Sequence, residues 1–149
     1  NFVKLMNEEA AELGATDSHF VTPNGLHNEE HYTTVYDMYL IFNAALKSKE
    51  FQNIIQAKSY DVQYKSADGS AAQMTWNSTN MYLSGKKTAP DSITVLGGKT
   101  GTTGPAGYCL VLLSKNAKNE TIISIVFHAD CRANLYYLMN QMLEQCAVK

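Results

Sequence analysis

The sequence predicts an α+β fold: an antiparallel sheet with helices packed on it. Three observations carry that expectation. Apolar residues recur at helical spacing in the first third of the chain and again at its end. Between these regions the period drops to two, and two β-branched runs follow, joined by a short polar link. The order is helices, then strands, then one helix, which segregates the two kinds of element instead of alternating them as a parallel sheet requires.

Each element has a local reason. In residues 1–13, Phe2, Leu5, Met6, Ala10 and Leu13 share one helical face, and Gly14 suits the position just past the end. Residues 16–26 include Pro23-Asn24-Gly25, a turn signal, and read as loop. Thr34 reads as an N-cap, with Asp37 three residues on, close to a capping box. Val35, Met38, Tyr39, Phe42, Ala45 and Leu46 then make an apolar stripe, and Tyr36 is assigned to the core with them. Ser48 caps a shorter helix bearing Phe51, Ile54 and Ile55. Tyr60, Val62 and Tyr64 alternate with Asp61, Gln63 and Lys65, which predicts a half-buried strand. Ala67–Ser70 is a turn, and Ala72–Asn77 returns as a second strand. Residues 84–92 are polar loop, and Leu96–Thr103 is a short strand. Tyr108–Ser114 and Thr121–His128 form a hairpin. Leu135, Leu138, Met139, Met142, Leu143 and Cys146 mark the last helix, with Asp130 as its cap.

Residues 1–149 contain no internal repeat and no linker, and are read as one domain. With 45% hydrophobic residues the chain can build a core, which excludes a disordered or collagen-like class. Twelve basic against fourteen acidic residues give a net charge of −2, so a nucleic-acid partner is not expected. No apolar run is long enough to cross a membrane. Cys109, Cys131 and Cys146 are too few and too scattered for a disulfide framework or a zinc site. The chain opens on Asn1-Phe2-Val3, without Met and already inside an amphipathic pattern. It therefore reads as part of a larger protein, with any membrane contact made by segments outside it.

The chemistry concentrates in Gly97-Gly98-Lys99-Thr100-Gly101-Thr102-Thr103-Gly104-Pro105-Ala106-Gly107-Tyr108. A strand edge bearing Lys-Thr-Gly-Thr offers an ammonium, two hydroxyls and accessible backbone N–H groups. Gly101 lets another backbone lie close. That set suits an extended peptide ending in a carboxylate, bound by strand addition. One N–H could serve as half of an oxyanion hole. The bland alternative is a solvated lysine beside a turn.

Lys99-Thr100-Gly101 resembles the third motif of the penicillin-recognising serine enzymes. More narrowly, the chain resembles the serine-type D-alanyl-D-alanine carboxypeptidases, the low-molecular-mass penicillin-binding proteins. The matching stretches are Phe2–Asn7 with Leu13-Gly14, His19–Leu26, Tyr32–Met38, Thr79–Leu83 and Gly98–Val111, in the family's order. The resemblance implies a β-lactamase/transpeptidase-like fold truncated at its N-terminus. It also implies an extracytoplasmic enzyme that removes the terminal D-Ala from peptidoglycan stem peptides through an acyl-enzyme, binds β-lactams and needs no cofactor. Lys99 and Thr102 would be catalytic. Lys99 would hold the hydrogen-bond network and add positive charge; the N–H of Thr102 would complete the oxyanion hole, and its carbonyl would take the substrate amide. The hydroxyls of Thr100 and Thr102 would bind the substrate carboxylate, with Gly101 leaving room for the peptide.

Two family motifs, S-x-x-K and S-x-N, have no convincing copy here. Ser84-Gly85-Lys86-Lys87 has the first spacing but lies in a polar loop, and Ser78-Thr79-Asn80 has the second but falls within a stretch matched elsewhere. The chain is thus read as beginning after both, and as inactive alone. Arg132 is the only arginine. It lies near the start of the last helix, where the macrodipole disfavours a cation. Two roles stay open for it: anchoring the substrate carboxylate in bidentate fashion, or a structural salt bridge. His27-Asn28-Glu29-Glu30-His31 has an H-x-x-E-H spacing but sits in loop, so no metal site is assigned. His19 and His128 read as core-edge residues and Asp37 as a capping or buried polar anchor. Two rival functions remain: a β-lactamase-like hydrolase and a non-catalytic peptide-binding module.

Overall fold

The computed structural model describes residues 2–147, so Asn1 lies outside the described residues. The elements are α1 (Phe2–Glu12), α2 (Val35–Ala45), α3 (Lys49–Gln56), β1 (Ser59–Lys65), β2 (Ala71–Asn77), β3 (Thr94–Thr103), β4 (Gly107–Lys115), β5 (Thr121–Ala129) and α4 (Arg132–Cys146). The fold is α+β, with a three-stranded antiparallel sheet β3-β4-β5 and a separate hairpin β1-β2.

The three-stranded sheet lies between two helical layers, which explains the unbroken apolar run of β4. Leu110 and Leu112 face α4, where they meet Leu135, Tyr136, Met139 and Leu143. Val111 and Leu113 point the other way, into a cluster with Phe42 of α2 and Ile55 of α3. A strand buried on both faces has no polar alternation to show. Each of these fully buried side chains contributes about 1.5–3 kcal/mol.

The caps form largely where expected. Thr34 accepts from the Asp37 N–H at 3.1 Å, and Ser48 accepts from the Phe51 N–H at 3.2 Å. Gly14 takes φ +82°, which ends α1. At α4 the cap is Cys131, whose Sγ accepts from the Asn134 N–H, and Asp130 stands one residue earlier, bonded to Cys131 N and Asn134 Nδ2. Asp37 is the expected buried anchor, 2% exposed, accepting from Asp17 N at 2.8 Å and Ser18 Oγ at 2.7 Å.

Burial departs from the periodicity in every helix and in the hairpin. Phe2 and Leu5 of the α1 stripe are 66% and 60% exposed and Ile54 of α3 is 66% exposed, since these helices bury only Ala10 and Ile55. The hairpin alternates as expected, and Tyr60 pairs with Trp76 and Val62 with Met74 on one face. That face is open, with Tyr60 66% and Trp76 59% exposed, because no layer covers it as α4 covers β4. In α2, Val35, Tyr36 and Tyr39 are all exposed, since the helix buries a narrower face around Phe42. In α4, Leu138 and Met142 are exposed while Tyr136 is buried, so the face against the sheet is rotated from the expected stripe. His128 is also exposed, at a left-handed turn in β5.

Candidate functional site

β3 is an edge strand. It pairs with β4 alone among the described residues, so its outer edge is free between the helical layers. Gly97 and Gly98 set that edge in place. A Cβ on Gly97 would lie 2.7 Å from the Ile55 carbonyl oxygen, and one on Gly98 would meet the Val111 carbonyl. Only glycine lets the end of α3 and the middle of β4 close so tightly on β3.

Strand alternation then distributes the next residues. Thr100 and Thr102 pair with Leu110 and Tyr108, on the α4 face. Lys99 and Gly101 pair with Val111 and Cys109, on the α2 face. Lys99, Gly101 and Thr102 are exposed and Thr100 is half-buried. Lys99 Nζ donates to the Thr100 carbonyl. All five residues singled out from the sequence, Lys99, Thr100, Gly101, Thr102 and Arg132, line one cleft of about 660 Å³.

Arg132 reaches the cleft from the first turn of α4. Its guanidinium carbon sits 6.0 Å from the centroid of the Tyr108 ring, within cation–π range. Among the described residues no carboxylate pairs with it; the one ion pair is Lys4–Glu8 on α1. The salt-bridge alternative therefore has no partner here.

Behind Arg132, the Tyr136 hydroxyl accepts from the Met81 N–H at 2.8 Å. Burial raises its pKa, with the Met81 bond and the Arg132 charge pulling the other way. Burial, with Tyr136 beside it, also keeps the Tyr82 phenol protonated, and it donates to Asn140 Oδ1 at 2.6 Å. These two tyrosines tie the segment after β2 to α4. That segment brings Thr79 into the cleft, its Oγ1 2.5 Å from Thr100 Oγ1. The opposite rim is Asn24-Gly25, from the loop read as a turn. The loop is held by Asn7, which exchanges two bonds of 2.8 Å with Phe20.

Thr79, Asn24 and Tyr108 went unrecognised as cleft residues in the sequence. Tyr108 could have been found, because a turn at Gly104-Pro105-Ala106 brings β4 back along β3 and sets Tyr108 opposite Thr102. Ser84, the first residue of the S-x-x-K spacing, turns away from the cleft and donates to the Met81 carbonyl. Asn80 is buried, and so not available to a ligand. His31 Nδ1 accepts from the Val21 and Thr22 N–H groups, and the described residues hold no cluster of three metal ligands.

The chain matches the family described as D-alanyl-D-alanine carboxypeptidase over residues 1–131. It is 32% identical over 127 residues to the D-alanyl-D-alanine carboxypeptidase of Streptomyces sp. (strain K15), covering 85% of this chain and 41% of that protein. It is 31% identical over 143 residues to D-alanyl-D-alanine carboxypeptidase DacF of Bacillus subtilis (strain 168), covering 96% of this chain and 34% of that one. The crystal structure of the Streptomyces K15 DD-transpeptidase superposes with a TM-score of 0.80 at 29% identity, over 95% of this chain and 52% of that one. The chain thus spans less than half the length of these curated relatives.

Proposed function

The chain belongs to the D-alanyl-D-alanine carboxypeptidase family, and from that premise we propose that its cleft binds the D-Ala-D-Ala end of a peptidoglycan stem peptide for removal of the last residue. The observation that carries the reading is the free edge of β3 with Lys99, Thr100, Gly101, Thr102 and Arg132 around one cleft. Strand addition needs the unpaired edge. A terminal carboxylate needs the hydroxyls and the guanidinium.

The roles fix a direction. The N–H of Thr102 polarises the scissile carbonyl as half of an oxyanion hole, and its C=O accepts the N–H of the penultimate D-Ala. The terminal carboxylate lies toward Thr100, with Thr102 and Arg132 as further donors. The peptide therefore runs antiparallel to β3, its upstream residues leading toward Thr103 and Gly104. Lys99 supplies positive charge beside the reacting centre. A serine hydroxyl attacks the carbonyl, the terminal D-Ala leaves as its amine takes a proton, and water hydrolyses the ester.

The serine comes from the rest of the catalytic domain, of which residues 1–149 form the C-terminal portion. The described residues place no serine of an S-x-x-K motif in the cleft. The substrate puts the enzyme outside the cytoplasm, where β-lactams reach it. No helix of the described residues is long and apolar enough to cross a membrane.

The test is mass spectrometry of the full-length protein after incubation with a labelled penicillin. A stable adduct of one penicillin per chain is expected. Rapid loss of that adduct would favour the β-lactamase-like reading, and absence of any adduct would leave only a peptide-binding module.

A further inference from the structure

We infer that Thr79 is a positioning residue, whose hydroxyl aims the hydroxyl of Thr100 at the terminal carboxylate of the peptide. The inference rests on the carboxylate-binding role proposed above for Thr100. Its own footing is the 2.5 Å contact between Thr79 Oγ1 and Thr100 Oγ1, which joins segments 21 residues apart at the wall of the cleft.

A threonine hydroxyl has one hydrogen to donate and two lone pairs. A single hydrogen lies between the two oxygens, so one donates and the other accepts. If Thr100 donates to Thr79, it presents only lone pairs to the cleft, and these repel a carboxylate. If Thr79 donates, the Thr100 hydrogen is free for the anion. A bound carboxylate selects the second arrangement. Thr79 then satisfies one Thr100 lone pair and fixes its hydroxyl rotor, so less freedom is lost on binding.

Both hydroxyls are carried on constrained backbone. Thr100 is held by the β3–β4 ladder, opposite Leu110. Around Thr79, the Ser78 N–H donates to the Lys58 carbonyl at 2.8 Å, Asn80 is 1% exposed, and the Met81 N–H is bonded to the Tyr136 hydroxyl. Thr79 itself is exposed, so its hydroxyl adds little to folding.

The experiment uses the full-length enzyme and two substrates, a stem-peptide mimic with a free C-terminal carboxylate and the same peptide amidated there. Thr79→Val keeps the shape and removes the hydroxyl. It is expected to raise KM for the free acid about five- to tenfold, the scale of one supported hydrogen bond, with kcat and the amidated substrate unchanged. Thr79→Ser restores the wild-type value. Equal losses on both substrates, or none on either, would overturn the inference. Thr100→Val separates the two levels. If it abolishes the preference for the free acid and Thr79→Val does not, Thr79 alone is excluded. If Thr100→Val also leaves the preference intact, the carboxylate role of Thr100 falls and this inference with it.

Discussion

Arg132 occupies a position that helix electrostatics disfavour, and no carboxylate among the described residues compensates it. The Tyr108 ring supports it from below. Removing it should leave folding intact and weaken capture of an anion. In the full-length enzyme, Arg132→Ala is expected to raise KM for a free-acid peptide about 10- to 100-fold, the range of a charge-assisted hydrogen bond. Thermal melting should stay within a degree or two of wild type. A second residue carries a pH dependence. Burial, followed by the charges of His19 and His27, lowers the pKa of His31 below 6.5. The folded loop holds that proton more weakly than the unfolded chain, so the unfolded chain gains protons first as the pH falls through 6.5. The stability is whole above that value and declines below it. Protonation also removes the Nδ1 acceptor from Val21 and Thr22. Protection of those two amides, taken relative to the intrinsic exchange rate at each pH, should therefore fall on acidification, and His31→Gln should flatten the response. At this scale, Lys99 to Thr102 were legible because they adjoin one another in the chain. Thr79 was not, because its contact with Thr100 exists only once two distant segments meet.

Among the elements, strand and helix order was readable because each has its own period and cap. Thr34, Ser48 and Gly14 mark ends through local hydrogen bonding or φ, which depend on a few adjacent residues. Burial was less readable. The alternation of β1 and β2 states which residues share a face, and nothing in it states whether a neighbour covers that face. For α4, the stripe through Leu138 and Met142 and the one through Tyr136 and Met139 are both apolar, and only packing on β4 and β5 chooses between them. The glycines before Lys99 have an element-scale consequence. Gly97→Ala sets a methyl against the Ile55 backbone 2.7 Å away, so α3 must move off β3. Such overpacking costs about 1–3 kcal/mol. A drop in melting temperature of roughly 3–10 °C is expected, checked by calorimetry.

For the whole molecule, the α+β class followed from segregated elements, whereas the burial of β4 on both faces emerges only once helices cover the two sides of the sheet. The cleft was legible only in part. Its wall is one contiguous strand, whereas its rims come from the loop at Asn24 and the segment at Thr79, brought together by long-range packing. Under the proposed reading the chemistry needs a serine that these residues do not bring to the cleft. A preparation of residues 1–149 is accordingly expected to release no D-alanine from a stem-peptide mimic, with the full-length enzyme as the positive control in the same assay. The outer edge of β3 has one further effect. Unsatisfied main-chain groups on an extended strand do not distinguish a wall peptide from another protein, and a second copy of β3 offers the same repeat. A charged lysine and a bare glycine on that edge, Lys99 and Gly101, are residues that blunt edge-to-edge pairing, the one by carrying charge and the other by offering no side-chain contact. Under the proposed reading, the residues that give this strand its choice of ligand also discourage its pairing with a second copy.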